Sequence, residues 1–233
     1  MFYNVILVAA AVIPAVLLML RVYRSDRLEK ESGYHLRRLA VGGVLASLIA
    51  MVAEKLLSLL LAAVVGQGTG LYNVLLYFGV VAFSEEGAKY FMLKRRSWNS
   101  PEFNCLYDGV VYAVFVALGF ALWENISYVM TYGFGTALVR AVTAIPGHAC
   151  FGVFMGVFYV LAKMHERMGN DGTSRGYRAL AVIVPALIHG AYDYIATAET
   201  NGFNWYFIIF IAALFALSFV LVSRMAKRDK YIA

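Results

Sequence analysis

Seven apolar runs, at approximately residues 2–20, 39–65, 71–93, 107–130, 138–162, 179–198 and 203–223, divide this 233-residue chain almost from end to end. Each is near the roughly 20 residues that an α-helix needs to cross about 30 Å of hydrocarbon. Hydrocarbon offers no partner to free backbone N–H and C=O groups, so such runs fold as helices. The expected fold is all-α: a polytopic transmembrane helical bundle of about seven spans, forming one membrane domain over residues 1–233. Composition leaves no room for a sizeable soluble domain, because 62% of the residues are hydrophobic and the mean hydropathy is +0.71. Residues 1–20 carry no positive n-region and no small-residue cleavage pattern before Arg21, so they read as the first span and not as a cleaved signal. The long second run suits a tilted helix, and the fourth invites a break near Trp123 and Asn125.

Charge sets the expected orientation. Lys and Arg are retained on the cytoplasmic side during insertion. The first loop carries Arg21, Arg24, Arg27, Lys30, Arg37 and Arg38, and the second Lys94, Arg95 and Arg96. The third carries Lys163, Arg167, Arg175 and Arg178, and the tail Arg224, Lys227, Arg228 and Lys230, which together make 17 of the 20 basic residues. The alternate loops at 66–70, 132–136 and 199–202 contain none. Seven spans with the N-terminus outside and the C-terminus cytoplasmic put all four basic segments on one side, in the cell (plasma) membrane. The net charge of +6 is thereby accounted for without nucleic acid. Cys105 and Cys150 fall in different environments and offer no disulfide.

Against this apolar background, Glu54, Lys55, Glu85, Glu86, Lys89, Glu124, Asp193, His148 and His189 lie within spans. Inserting the charged members alone costs on the order of 20 kcal/mol before any pairing, so a chain that keeps them has a use for them. Four motifs place informative residues four apart on one helical face: Glu85-Glu86-x-x-Lys89, Phe120-x-x-x-Glu124-Asn125, His148-x-x-x-Gly152 and His189-x-x-x-Asp193. Measured from the outer end of each span, Glu85 lies roughly 20 Å deep, His148 about 16 Å, His189 about 14 Å, Glu124 about 10 Å and Asp193 about 8 Å. These depths are compatible with one hydrated pocket opening to the outer face. Gly152 and Gly156 form a small-xxx-small pair suited to close helix packing.

Peptide hydrolysis near neutral pH requires a base for water and donors for the oxyanion. Glu85 is the candidate base. Adjacent helical positions point about 100° apart, so Glu85 and Glu86 are expected to divide their work, one facing the pocket and one holding Lys89. The bland alternative is an ion pair of Glu85 and Lys89, which are in the favoured i,i+4 order. His189 and Asp193 can hydrogen-bond along one face, fixing the imidazole tautomer for donation to an oxyanion. Glu124, Asn125 and His148 complete the candidate set, Asn125 as a supporting group for substrate backbone or water. Glu54 and Lys55 are expected to be structural, paired with Glu86 or another span, and Asp108 and Arg140 are assigned nothing. A zinc site from Glu85, His148 and His189 is the alternative to a metal-free site, although no His-Glu-x-x-His segment exists. Intramembrane acids also line proton or ion paths in transporters, but no inverted repeat is apparent here.

As a set and in this order, the four motifs resemble the PrsW family of membrane proteases, and more distantly the CAAX prenyl protease and bacteriocin-processing superfamily. The resemblance covers about residues 71–198, with the seven-span frame extending it. It implies an intramembrane protease whose paired glutamates, here Glu85 and Glu86, supply the base, and whose last motif, here His189 and Asp193, supplies oxyanion donors. Two departures from the prenyl protease pattern, Glu124 where that branch has histidine and Lys89 where it has an arginine one place later, favour PrsW. The implied activity is site-1 cleavage of a single-span membrane protein, an anti-sigma factor, on the outer side.

Overall fold

The computed structural model describes residues 2–198 and 204–232; the basic-free loop at 199–202 lies outside them. Among the described residues the chain is helical with no strand: α1 (Phe2–Ser25), α2 (Gly33–Val65), α3 (Gly70–Val74), a π-helical segment (Leu75–Ala82), α4 (Phe83–Ser97), α5 (Asp108–Tyr132), α6 (Phe134–Val142), α7 (Ala144–Arg167), α8 (Asp171–Ala196) and α9 (Trp205–Lys227). Six stretches, with α6 and α7 taken together, are each long and apolar enough to cross a bilayer. The third run is helical without a gap from 70 to 97, passing from α to π and back, and completes seven crossings. The chain is a multi-pass membrane protein.

Two details depart from the sequence reading. The fourth run does not break at Trp123 or Asn125, since α5 continues unbroken to Tyr132. The fifth run does break: Gly133, at φ +84°, turns the chain into the nine-residue α6, and Thr143 separates α6 from α7.

Helix α5 is the pillar of the bundle. Every residue from Asp108 to Ala121 is buried, and the helix packs against α1, α2 and α7. Helices in lipid gain little by burying apolar surface against each other, so close van der Waals approach at small residues carries the packing. Gly152 and Gly156 behave as the sequence suggests, since a Cβ on Gly156 would lie 2.4 Å from the Gly109 carbonyl oxygen of α5. The apolar side chains of α2 that face away from the bundle, among them Val52, Leu56, Leu59 and Val64, are exposed as a lipid-facing surface requires.

The basic ends of the helices are tied by the tail. Leu106 N–H donates to the Lys230 carbonyl at 2.9 Å, Ile232 N–H to that of Asn104 at 2.8 Å, and Tyr107 N–H to Asp229 Oδ1 at 2.8 Å. Asp108 accepts the N–H groups of Asn104 and Cys105 at 2.9 and 2.6 Å, so this carboxylate organises the turn into α5. Both cysteines are free and buried. In the loop before α2, Glu31 is buried and accepts from the Tyr112 hydroxyl at 2.6 Å. Burial pushes its carboxyl up to about 9, against the partly offsetting Tyr112 bond. A carboxyl raised in the folded state favours folding at low pH, and that contribution is lost as pH rises through the window between its unfolded and folded values. The Tm in detergent is therefore expected to fall as pH rises from 4.5 to about 9, and Glu31→Gln to flatten that slope. An unchanged slope in the variant would remove Glu31 as its source.

Candidate active site

The π-helical segment leads directly into the first motif. Backbone bonds of the i→i+5 kind widen a helix and shift the phase of the side chains that follow, and such segments recur at functional sites. Just beyond it, α4 turns Glu85, Glu86 and Lys89 into the bundle, where all three are buried. The tight approach of α8 depends on Gly190, where a Cβ would meet the Phe78 ring at 2.6 Å. That approach places His189 against α4.

Lys89 is fully buried and its Nζ lies 2.8 Å from Glu86 Oε1, 3.0 Å from Glu85 Oε2 and 3.0 Å from His148 Nδ1. An ammonium has only donors, so Nδ1 of His148 accepts, and its Nε2–H then donates to Glu124 Oε2 at 2.9 Å. Glu124 Oε2 also accepts from Arg140 Nη2 at 2.8 Å. On the other side, His189 Nδ1 lies 3.0 Å from Glu86 Oε1 and 3.8 Å from Glu85 Oε2, and its Nε2 lies 3.4 Å from Asp193 Oδ2. Both ring nitrogens of His189 thus face carboxylates. The ring stacks on Phe151 at 4.6 Å, which fixes its plane. The result is one polar chain across the bundle, from Arg140 through Glu124, His148, Lys89 and the paired glutamates to His189 and Asp193.

A cavity of about 500 Å³ opens onto this chain. Glu85, Glu124, His148, His189 and Asp193 line it, together with Arg140 and aromatic side chains that include Phe120, Trp123 and Tyr128. Lining residues such as Thr197, Ser127 and Arg140 place it in the half of the bundle away from the basic loops. Glu86 and Lys89 sit behind its wall, so the two neighbouring glutamates do point different ways. Lys89, however, is held by both and not by one alone.

Three residues stand elsewhere than the sequence suggests. Asn125 is fully buried outside the cavity, with Nδ2 donating to the Ala11 carbonyl at 3.0 Å and Oδ1 accepting from Arg140 Nε at 2.9 Å, so its amide is engaged in joining helices. Glu54 and Lys55 do not pair with Glu86, whose partners are Lys89 and His189; Glu54 lines the cavity and Lys55 is exposed. Arg140, to which the sequence assigns no role, lines the cavity and holds Glu124; the available signal is that it is one of only three basic residues outside the four basic segments.

Oxygens of Glu85 and Glu86 and a ring nitrogen of His148 lie within 4.8 Å of one another, close enough in principle to share a metal ion. His189 is not in this group, so the trio differs from the zinc set expected from sequence. As they stand, the residues do not fit a divalent ion, because the Lys89 ammonium already contacts all three. A cation drawing on the same lone pairs would have to displace it.

The family model described as "PrsW family intramembrane metalloprotease" matches residues 31–221. Protease PrsW of Clostridioides difficile is 32% identical, over 93% of this chain and 89% of its own length. Protease PrsW of Bacillus subtilis is 31% identical, over 97% of this chain and 96% of its own, and that of Geobacillus kaustophilus is 31% identical over 89% and 87%. No solved structure matches the chain.

Proposed function

The chain belongs to the PrsW family of membrane proteases, and from that premise we propose that it cuts a single-span membrane protein at a peptide bond presented to the cavity, using water activated by Glu85. The observation that carries this reading is the single cavity on which a buried glutamate, two histidines and two further carboxylates from four helices converge.

The roles follow from position. Glu85 lines the cavity and takes a proton from water as the oxygen attacks the carbonyl carbon of the substrate. The tetrahedral oxyanion accepts from the Nε2–H of His189, which Asp193 holds only loosely at 3.4 Å, while Glu86 at Nδ1 and the face of Phe151 fix the ring. As the C–N bond breaks, the amine leaves with the proton held on Glu85. Glu86 and Lys89 act as positioning residues behind the wall, and Asp193 positions His189. Glu124 and His148, with Arg140, form the facing wall, where the guanidinium and imidazole N–H groups fix Glu124 beside the substrate path.

Positive charge retained on the cytoplasmic side would put the cavity toward the outer leaflet. The substrate class that suits a cut there is a membrane-anchored regulatory protein such as an anti-sigma factor, whose cleavage would begin regulated proteolysis of a stress signal. The test is reconstitution of the purified full chain in proteoliposomes with a tagged single-span anti-sigma factor. The expected product is a fragment cut just outside or within the outer half of the substrate's span. Intact substrate together with pH-driven ion flux would overturn the peptidase reading in favour of transport.

A further inference from the structure

We propose that Lys89 is the permanent cation of this site: its ammonium holds the position between Glu85, Glu86 and His148 that a metal ion would take, and the enzyme works with no metal there. The inference deepens the peptidase reading, since it concerns the charge that steadies the proposed base. It also departs from the word metalloprotease in the matching family description.

Saturation is the first argument. An ammonium has three N–H donors, and Lys89 has three acceptors at hydrogen-bond distance: Glu86 Oε1 at 2.8 Å, Glu85 Oε2 at 3.0 Å and His148 Nδ1 at 3.0 Å. The remaining side is covered by the Phe120 ring, whose centroid lies 4.0 Å from Nζ in cation–π contact. No exposed surface is left on the lysine. The lone pairs that a metal would need are therefore all engaged by one buried cation.

The second argument is the state of His148. A metal-bound histidine coordinates through one nitrogen and donates from the other to a carboxylate. Here Nε2–H donates to Glu124 in just that manner, while Nδ1 meets an ammonium where the metal would stand. Lysine thus completes the pattern of a metal site with a cation carried by the chain. It follows that the amine is what excludes metal: two carboxylates and an imidazole already within 4.8 Å of one another are a three-ligand zinc site once the amine is removed.

The experiment measures metal and not turnover. Wild-type and Lys89→Ala proteins, purified as full chains in nanodiscs and dialysed against EDTA, are titrated with zinc chloride by calorimetry, with bound metal counted by mass spectrometry. Wild type is expected to retain no stoichiometric zinc and to keep the same Tm with and without chelator, whereas Lys89→Ala takes up about one zinc ion per chain. Adding His148→Ala to Lys89→Ala should abolish that uptake. Wild type that holds one zinc after dialysis, and loses it on His148→Ala, overturns the proposal. So does a folded Lys89→Ala protein that binds none, because the amine would then not be the excluding group. Should Lys89→Ala fail to fold, the zinc content and chelator response of wild type decide by themselves. Cleavage is scored separately, with and without added zinc: a metal-free chain that cuts the substrate supports the proposal, one that cuts only when zinc is returned overturns it, and one that cuts in neither condition removes the peptidase reading and leaves Lys89 as the cation.

Discussion

Glu85→Gln is expected to lower kcat for a reconstituted substrate by on the order of 10²–10⁴-fold, the range that a lost general base commands, with the protein still folded and inserted. The amide keeps an oxygen that can accept from Lys89, and the site keeps the second glutamate, so the Tm in detergent should move little. Glu86→Gln should behave in the opposite way. Glu86 is fully buried and holds both Lys89 at 2.8 Å and His189 at 3.0 Å. Removing one member of a buried ion pair costs about 3–5 kcal/mol, and Glu85, which still pairs with Lys89 but lies 3.8 Å from His189 Nδ1, does not replace the lost contact with His189. A large fall in Tm is therefore expected for Glu86→Gln, with its loss of activity following the loss of folded protein. Equal kcat for wild type and Glu85→Gln would take Glu85 out of the mechanism. A stable but inactive Glu86→Gln protein would exchange the two roles.

Much of this contrast is legible in the sequence, and for a definite reason. Two residues adjacent on a helix must face about 100° apart, so a Glu-Glu pair cannot do one job in one place. Four-residue spacing likewise puts His189 with Asp193, and Glu85 with Lys89, before any coordinates are known. The spans are legible because the bilayer demands long apolar helices and imposes a charge bias on their connecting loops. What crosses between helices is not. The contact of Lys89 with His148 joins residues 59 positions apart, and that of Arg140 with Glu124 depends on α6 turning back after Gly133. No local pattern encodes either.

Relative height along the spans is legible for a related reason. The fixed rise per residue turns position in a span into height in the bilayer, and Glu85, Glu124, His148, His189 and Asp193 do line one cavity. Height does not tell which face of a helix meets the cavity. Asn125, one residue from Glu124, is rotated into the α1 and α6 contact, while Glu54 on α2 faces the cavity and its neighbour Lys55 is exposed. The π-helical segment before Glu85 is equally invisible in a run of apolar residues, yet it sets the phase of the first motif.

The same limit applies to how closely the helices approach, and there the second large effect is expected. At Gly119 on α5, a Cβ would lie 2.1 Å from the backbone oxygen of Ala40 on α2, and the reciprocal Gly43 would meet the Val116 oxygen at 2.0 Å. Neither obstacle is a side chain that can rotate away. Ordinary contact begins near 3.4 Å, so Gly119→Ala must part the two backbones by about 1 Å, at about 3 kcal/mol by the usual scale of overpacking. The neighbouring Phe120 lines the cavity and covers Lys89, and α2 supplies Ser47, Met51 and Glu54 to the opposite wall. A shift of this size at reacting groups is worth about 10²-fold in rate, so Gly119→Ala should lose both Tm and activity without touching substrate. Gly176→Ala on α8, where an added Cβ would meet no neighbouring element within 4 Å, is the matched control and should leave activity unchanged and the Tm equal or slightly raised. If Gly119→Ala keeps the Tm and kcat of wild type, the α2–α5 crossing is looser than described and does not set the geometry of the site.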